Sequence, residues 1–138
     1  MTRYAPRAAD YLRHILDAID RAIGYTAAFK TPDDFERDAM ALDAVVRNLE
    51  ILGEAAVKLD RVAPAVVAAA GDIPWKHMRT MRNKVIHDYF EVDVGVVWST
   101  VKNDLPRLRE QLGRLLDAQD HLTDTQHSNT GGGPEKRR

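Results

Sequence analysis

Arg82-Asn83-Lys84-Val85-Ile86-His87-Asp88-Tyr89 brings an arginine, an asparagine, a histidine and a tyrosine within one short stretch. Such a set can cut RNA without a metal ion. A histidine titrates near neutrality, so it can take a proton from a ribose 2′-OH or give one to the leaving 5′-oxygen. An arginine holds a phosphate in a bidentate fork and stabilises its developing charge. An asparagine amide can orient the phosphate or the ribose. DNA lacks the 2′-OH, so this chemistry selects RNA. Arg82, His87 and Asn83 are therefore the candidate catalytic residues. No acidic residue stands between Ile73 and His87, whereas Lys76, Arg79 and Lys84 join Arg82 in that stretch. These three are candidate RNA contacts, although solvated charges on a helix face are the plainer reading.

Spacing constrains how the pair can act. On one continuous helix, Arg82 and His87 stand about 140° apart, while Asn83 and His87 share a face. Two arrangements bring Arg82 and His87 to one phosphate. Either the arginine wraps around the helix, or a second copy of the motif faces the first across a two-fold axis. The second arrangement lines one cleft with two arginines and two histidines, so that one histidine serves as base and the other as acid.

The elements that must position this segment read as helices. Leu12, Ile15, Leu16, Ile19, Ala22 and Ile23 stripe one face of a segment from about Ala8 to Phe29. Thr31 and Pro32 start a second segment, capped and with acids in its first turn, which runs to about Arg61 with a break near Arg37. Phe35, Leu42, Val45, Leu49, Leu52 and Leu59 carry its stripe. Gly53 inside it points to close approach by another helix or to simple tolerance. A short helix over Pro64–Ala70 precedes a third main helix from Pro74 to Tyr89, with Trp75 as a core anchor. Asp93 caps a fourth, which continues past a kink at Pro106 to about Leu122. A strand over Val92–Val101 is the competing reading of its β-branched start; it is set aside because no partner strand is evident. The expected fold is all-α: an antiparallel four-helix bundle with one short extra helix. Residues 1–122 form that domain, and residues 123–138, with three glycines in a row and polar residues around them, form a disordered tail, native or appended.

Composition narrows the function classes. The chain has 138 residues, no cysteine and a net charge of −1. That excludes thiolate metal sites and cysteine nucleophiles, and it argues against a general nucleic-acid coat. No apolar run suits a signal peptide or a membrane span, so a cytoplasmic protein with no membrane association is expected. Glu50 and Glu54 lie one turn apart but offer too few oxygens for a hard cation. They are expected to be structural or to pair with a motif arginine. His14, His77, His121 and His127 show no metal-binding spacing. Neither a metal nor a cofactor is expected.

Arg82-Asn83-Lys84-Val85-Ile86-His87 matches the Arg-x4–6-His signature of HEPN domains. Extended to Tyr89, it resembles the Arg-x4-His-x-Tyr form of the HepT-like (DUF86) toxins. Ile73-Pro74-Trp75, Arg47-Asn48-Leu49-Glu50-Ile51-Leu52-Gly53-Glu54-Ala55 and Tyr89-Phe90-Glu91-Val92-Asp93 extend the resemblance, which covers about Tyr11 to Leu116. It implies a HEPN-like bundle, a homodimer with its active cleft at the two-fold interface, and a metal-independent ribonuclease. It also implies the toxin half of a type VII-like toxin–antitoxin system. The partner would be an MNT-type nucleotidyltransferase that silences the toxin by adding AMP to Tyr89. The alternatives are a non-catalytic helical or nucleotide-binding partner of such a transferase, and a plain oligomerisation domain.

Overall fold

The computed structural model describes residues 7–88 and 91–131, without the side chains of His87, Asp88 and 123–131. The fold is all-α with one small hairpin. Helix α1 spans Ala8–Thr26, α2 Pro32–Arg37, α3 Ala39–Val62 and α4 Pro64–Ala69. Two single-turn helices follow, α5 (Trp75–Arg79) and α6 (Met81–Val85). Strands β1 (Ile86–Asp88) and β2 (Glu91–Val92) come next. Helix α7 (Val94–Ser99), a π-helical turn (Thr100–Asp104) and α8 (Leu105–Gly131) complete the described chain.

Local chemistry accounts for the boundaries. The Thr31 hydroxyl accepts from the Asp34 amide and Pro32 opens α2. Asp38 caps α3 through the Ala41 amide, which makes the expected break near Arg37. Helix α1 stops at Thr26, short of the expected Phe29. Phe29 instead turns back onto Phe35, with ring centroids 5.7 Å apart. Phe35 is fully buried and also packs on Trp98 at 5.8 Å.

The core is one cluster. Leu12, Ile15 and Ile19 of α1 meet Leu49, Leu52 and Leu59 of α3, all fully buried. Leu105 and Leu112 of α8 close it from the other side. Helix α8 runs antiparallel to α1: Arg13 pairs with Asp120 at 2.8 Å, and Asp20 pairs with Arg109 nearer the start of α8. Lys102 donates to the Thr26 carbonyl at 3.1 Å and lies 4.7 Å over the Trp98 ring. Among the described residues, no helix is long and apolar enough to cross a membrane.

Three expectations need correction. The third main helix does not run unbroken from Pro74 to Tyr89. Thr80 leaves helical geometry at φ −100°, ψ 11°, and its hydroxyl bonds back to the Lys76 carbonyl at 2.9 Å, competing with the helix ladder. The chain then becomes extended at Ile86. There β1 pairs antiparallel with β2, Ile86 opposite Val92 and Asp88 opposite Glu91, with an irregular register between. Val92 therefore does have a strand partner, and the chain between the expected third and fourth helices forms half of a hairpin. The rest of the rejected strand is helical from Val94 onward. Finally, α8 continues to Gly131, past the expected end at Leu122. No proline interrupts residues 122–131, and polar residues do not by themselves end a helix. Residues 132–138 lie outside the described residues.

Pro106 falls in the first turn of α8, which starts at Leu105 directly after a π-helical turn. It lacks an N–H and its ring collides with the carbonyl four residues back. The π-helical turn just before it accommodates this mismatch.

Gly53 settles the other open reading. A Cβ there would stand 2.9 Å from the Met78 carbonyl oxygen and 3.8 Å from the Met81 Cβ. The junction of α5 and α6 thus lies directly on α3. Gly53→Ala should lower the urea midpoint, because overpacking against backbone costs about 1–3 kcal/mol and outweighs the helix-propensity gain of about 1 kcal/mol. Gly24→Ala, on α1 with nothing within 4 Å of its Cβ, should instead raise the midpoint, adding up to about 1 kcal/mol of stability.

Candidate functional site

The contact at Gly53 sets the motif against α3. Met78 and Met81 are buried there, and Val85 is fully buried one turn later. Trp75 anchors α5: it is buried and its indole N–H donates to the Ala70 carbonyl at 3.0 Å. With α6 pinned on its Met81–Val85 side, Arg82, Asn83 and Lys84 are left exposed.

Arg82 Nε lies 3.8 Å from Glu50 Oε2 on α3. The arginine side chain is 73% exposed and the carboxylate 24%. That pairing is one of the two roles expected for Glu50. It holds the guanidinium near α3 without enclosing it, and among the described residues its outer N–H groups meet no other partner. Arg79, Arg82 and Asn83 line a cleft of about 180 Å³ with Glu50, Gly53 and Glu54. Two cations and two carboxylates therefore share it. A phosphate entering the cleft would exchange a weak exposed ion pair for a charge-assisted fork to the same arginine.

The structure distributes the expected site residues unevenly. It brings Arg79, Arg82 and Asn83 together. Lys84 points to the other side of α6, where its ammonium meets Nδ1 of His77. Lys76 is exposed on α5 and lines neither depression. His87 is not on the helix. Its backbone belongs to β1, so the expected shared face of Asn83 and His87 does not exist, nor does the 140° helical offset from Arg82. The side chain of His87 and all of Tyr89 lie outside the described residues. Asn48, in the flanking sequence on α3, is buried and donates to the Ala44 carbonyl at 2.8 Å. It is part of the helix packing and lines neither depression.

The family described as "Ribonuclease HepT-like" matches residues 15–115, which contain every element that builds this cleft. The chain belongs to the HepT-like ribonuclease family. A Thermococcus cleftensis protein named "Probable ribonuclease HepT" is 40% identical over 110 residues, covering 77% of this chain and 93% of that one. A Methanocaldococcus jannaschii protein, whose name pairs a gamma-glutamylcyclotransferase with an RNase, is 39% identical over 110 residues. That match covers 80% of this chain but 48% of the longer protein, so the chain spans about half of this relative. A third relative, from Caldanaerobacter subterraneus, carries RNase in its name and is 34% identical over 77% of this chain and 91% of its own. No solved structure matches the chain.

Within this HepT-like fold, exposure of Arg82 makes a thermodynamic statement. Arg82→Ala should change the unfolding free energy by less than about 0.5 kcal/mol, and Glu50→Ala by no more than about 1 kcal/mol, since exposed pairs contribute little. Urea titration checks both. A loss above about 2 kcal/mol for Arg82→Ala would mean that the arginine is a structural residue.

Proposed function

We propose that this HepT-like chain is the toxin of a toxin–antitoxin pair and cuts RNA without a metal ion, with Arg82, Asn83 and His87 as its catalytic residues. The observation that carries this reading is the solvent-open position of Arg82 beside Arg79 and Asn83, within a family of ribonucleases. An arginine held for structure would be enclosed by partners; this one presents its fork to solvent.

The reaction follows from those groups. Arg82 takes two phosphate oxygens of the scissile linkage and stabilises the charge that grows on them. The Asn83 amide donates to the same phosphate or to the ribose. The imidazole of one His87 takes the 2′-OH proton as the 2′-oxygen attacks phosphorus. The bond from phosphorus to the 5′-oxygen breaks, and an imidazolium protonates that oxygen. The products are a 2′,3′-cyclic phosphate and a 5′-hydroxyl. Two histidines in opposite protonation states serve this best, and a homodimer with its cleft on the two-fold axis supplies both.

Control by a nucleotidyltransferase antitoxin rests on the sequence of the same motif. Tyr89 follows His87 by two residues in the sequence. Attaching AMP there would add a bulky anion within the motif that carries the phosphate-binding arginine, which would exclude RNA by volume and by like charge.

The test is cleavage of total cellular RNA in excess EDTA by wild type, Arg82→Ala and His87→Ala, with product ends mapped. Wild type should cut and leave cyclic phosphates, and each variant should lose about 10²-fold or more in rate. If wild type, shown by mass spectrometry to carry no AMP on Tyr89, cuts nothing, the chain is a non-catalytic partner of the transferase instead.

A further inference from the structure

Helix α6 has a second depression on its far side, and it is the larger of the two: about 470 Å³ against about 180 Å³. That size falls in the usual range for small-molecule sites, roughly 300–1,000 Å³. The cavity lies between α5–α6 and the start of α8, and Thr100, Asn103 and Asp104 of the π-helical turn form part of its wall. Phosphodiester cleavage by Arg82 and His87 uses none of these residues.

Its lining divides by chemistry. Met78, Met81, Leu105 and Leu108 are buried and supply apolar, partly deformable walls. Lys84 and Arg107 supply positive charge, and Asp72 and Asp104 supply negative charge. Among the described residues, none of these four charges makes an ion pair. The Lys84 ammonium sits against Nδ1 of His77. Nδ1 then acts as acceptor, so a neutral His77 carries its proton on Nε2.

A site lined by cations, carboxylates and apolar walls suits a ligand that combines an anionic group, a flat apolar face and N–H or O–H donors. A nucleotide has that make-up. Lys84, His77 and Arg107 match its phosphate, the methionine and leucine walls match the faces of its base, and Asp104 with Asn103 match an exocyclic amine or a ribose hydroxyl. Location strengthens the match. Arg82 and Lys84 stand two residues apart on the single turn of α6, about 200° around it. One lines the motif cleft and the other this cavity.

We propose that this cavity is a nucleotide-binding subsite that takes one unpaired nucleotide of the RNA, next to the linkage held by Arg82. As a substrate subsite it rests on the ribonuclease reading; as a nucleotide site it stands on its own lining. It confines substrates to single-stranded segments, because a base paired in a helix cannot enter a walled cavity.

The experiment measures binding rather than cleavage. A five-nucleotide 2′-O-methyl RNA, which has no free 2′-OH and cannot be cut by this route, is titrated by fluorescence anisotropy. Separately, 5′-GMP and 5′-AMP are titrated by NMR. Both are repeated on Asn103→Trp, which fills the cavity from an exposed position bonded only to Ser99 at 3.2 Å, and on the double variant Lys84→Ala/Arg107→Ala. Thermal unfolding confirms that each variant folds, and the double variant carries the test if Asn103→Trp does not. We expect both to weaken pentamer binding at least 10-fold and to abolish mononucleotide shifts at Met78 and Met81, whereas Arg82→Ala keeps those shifts. Pentamer binding equal to wild type in both folded variants overturns the subsite, whatever the cleavage assay gives. Mononucleotide shifts without pentamer binding show a site for a free nucleotide and overturn the RNA assignment. Shifts and cavity-dependent pentamer binding in a wild type that cuts nothing uphold the subsite while the ribonuclease reading falls.

Discussion

The architecture turns on one close approach. At Gly53, α3 has no side chain, and the Met78 carbonyl occupies the space a Cβ would need. This lets the α5–α6 junction rest on the backbone of α3 instead of on a layer of side chains. The consequences spread outward from there. Met78 and Met81 enter the core, Glu50 comes within reach of Arg82, and a cleft forms between the two helices. One turn of α6 has little intrinsic stability of its own. It exists because Met81 and Val85 are buried on one side, and that same burial forces Arg82, Asn83 and Lys84 outward.

The motif is thus assembled from two kinds of backbone. Arg82 and Asn83 sit on a helical turn, and His87 follows on a strand of a two-stranded hairpin. A switch from helix to strand between an arginine and a histidine frees their relative direction from helical periodicity. The cost is low, because Val85 and Ile86 are β-branched and favour extended backbone. Ile86 also gains a cross-strand partner in Val92. On the opposite flank, the π-helical turn ahead of Pro106 shapes the wall of the second cavity. Both departures from regular helix lie beside the motif, while the long helices α1, α3 and α8 supply the rigid frame.

Much of this is legible in the sequence. The stripes Leu12–Ile15–Ile19 and Leu49–Leu52–Leu59 announce two buried helix faces, and Thr31-Pro32 announces a capped start. The motif residues are identifiable by type, and so is Glu50 as a carboxylate able to pair with a motif arginine. What stays hidden depends on contacts distant in the chain. Thr80 breaks the helix where it crosses α3 at Gly53, twenty-seven residues earlier, and no local signal distinguishes Thr80 from other helical threonines. The two short strands become visible only when Ile86 finds Val92, since neither run is long enough to declare itself. A helical reading of Pro74–Tyr89 therefore puts His87 on the wrong backbone. Reading the stretch by charge alone also groups Lys84 with Arg82, although the two face opposite sides of α6.

If Arg82 on the open edge of α6 holds a phosphate for attack by the neighbouring ribose, the 2′-hydroxyl at the cut site is itself a reactant. The most direct measurement uses a short single-stranded RNA with one mapped cleavage site, compared with the same strand carrying a single 2′-deoxyribose on the 5′ side of that linkage. Removing one oxygen should abolish cutting at that linkage and leave binding of the strand unchanged. Cleavage of the deoxy-substituted linkage at the wild-type rate would show that water attacks instead, and it would contradict the roles of Arg82 and His87 in driving attack by the 2′-oxygen.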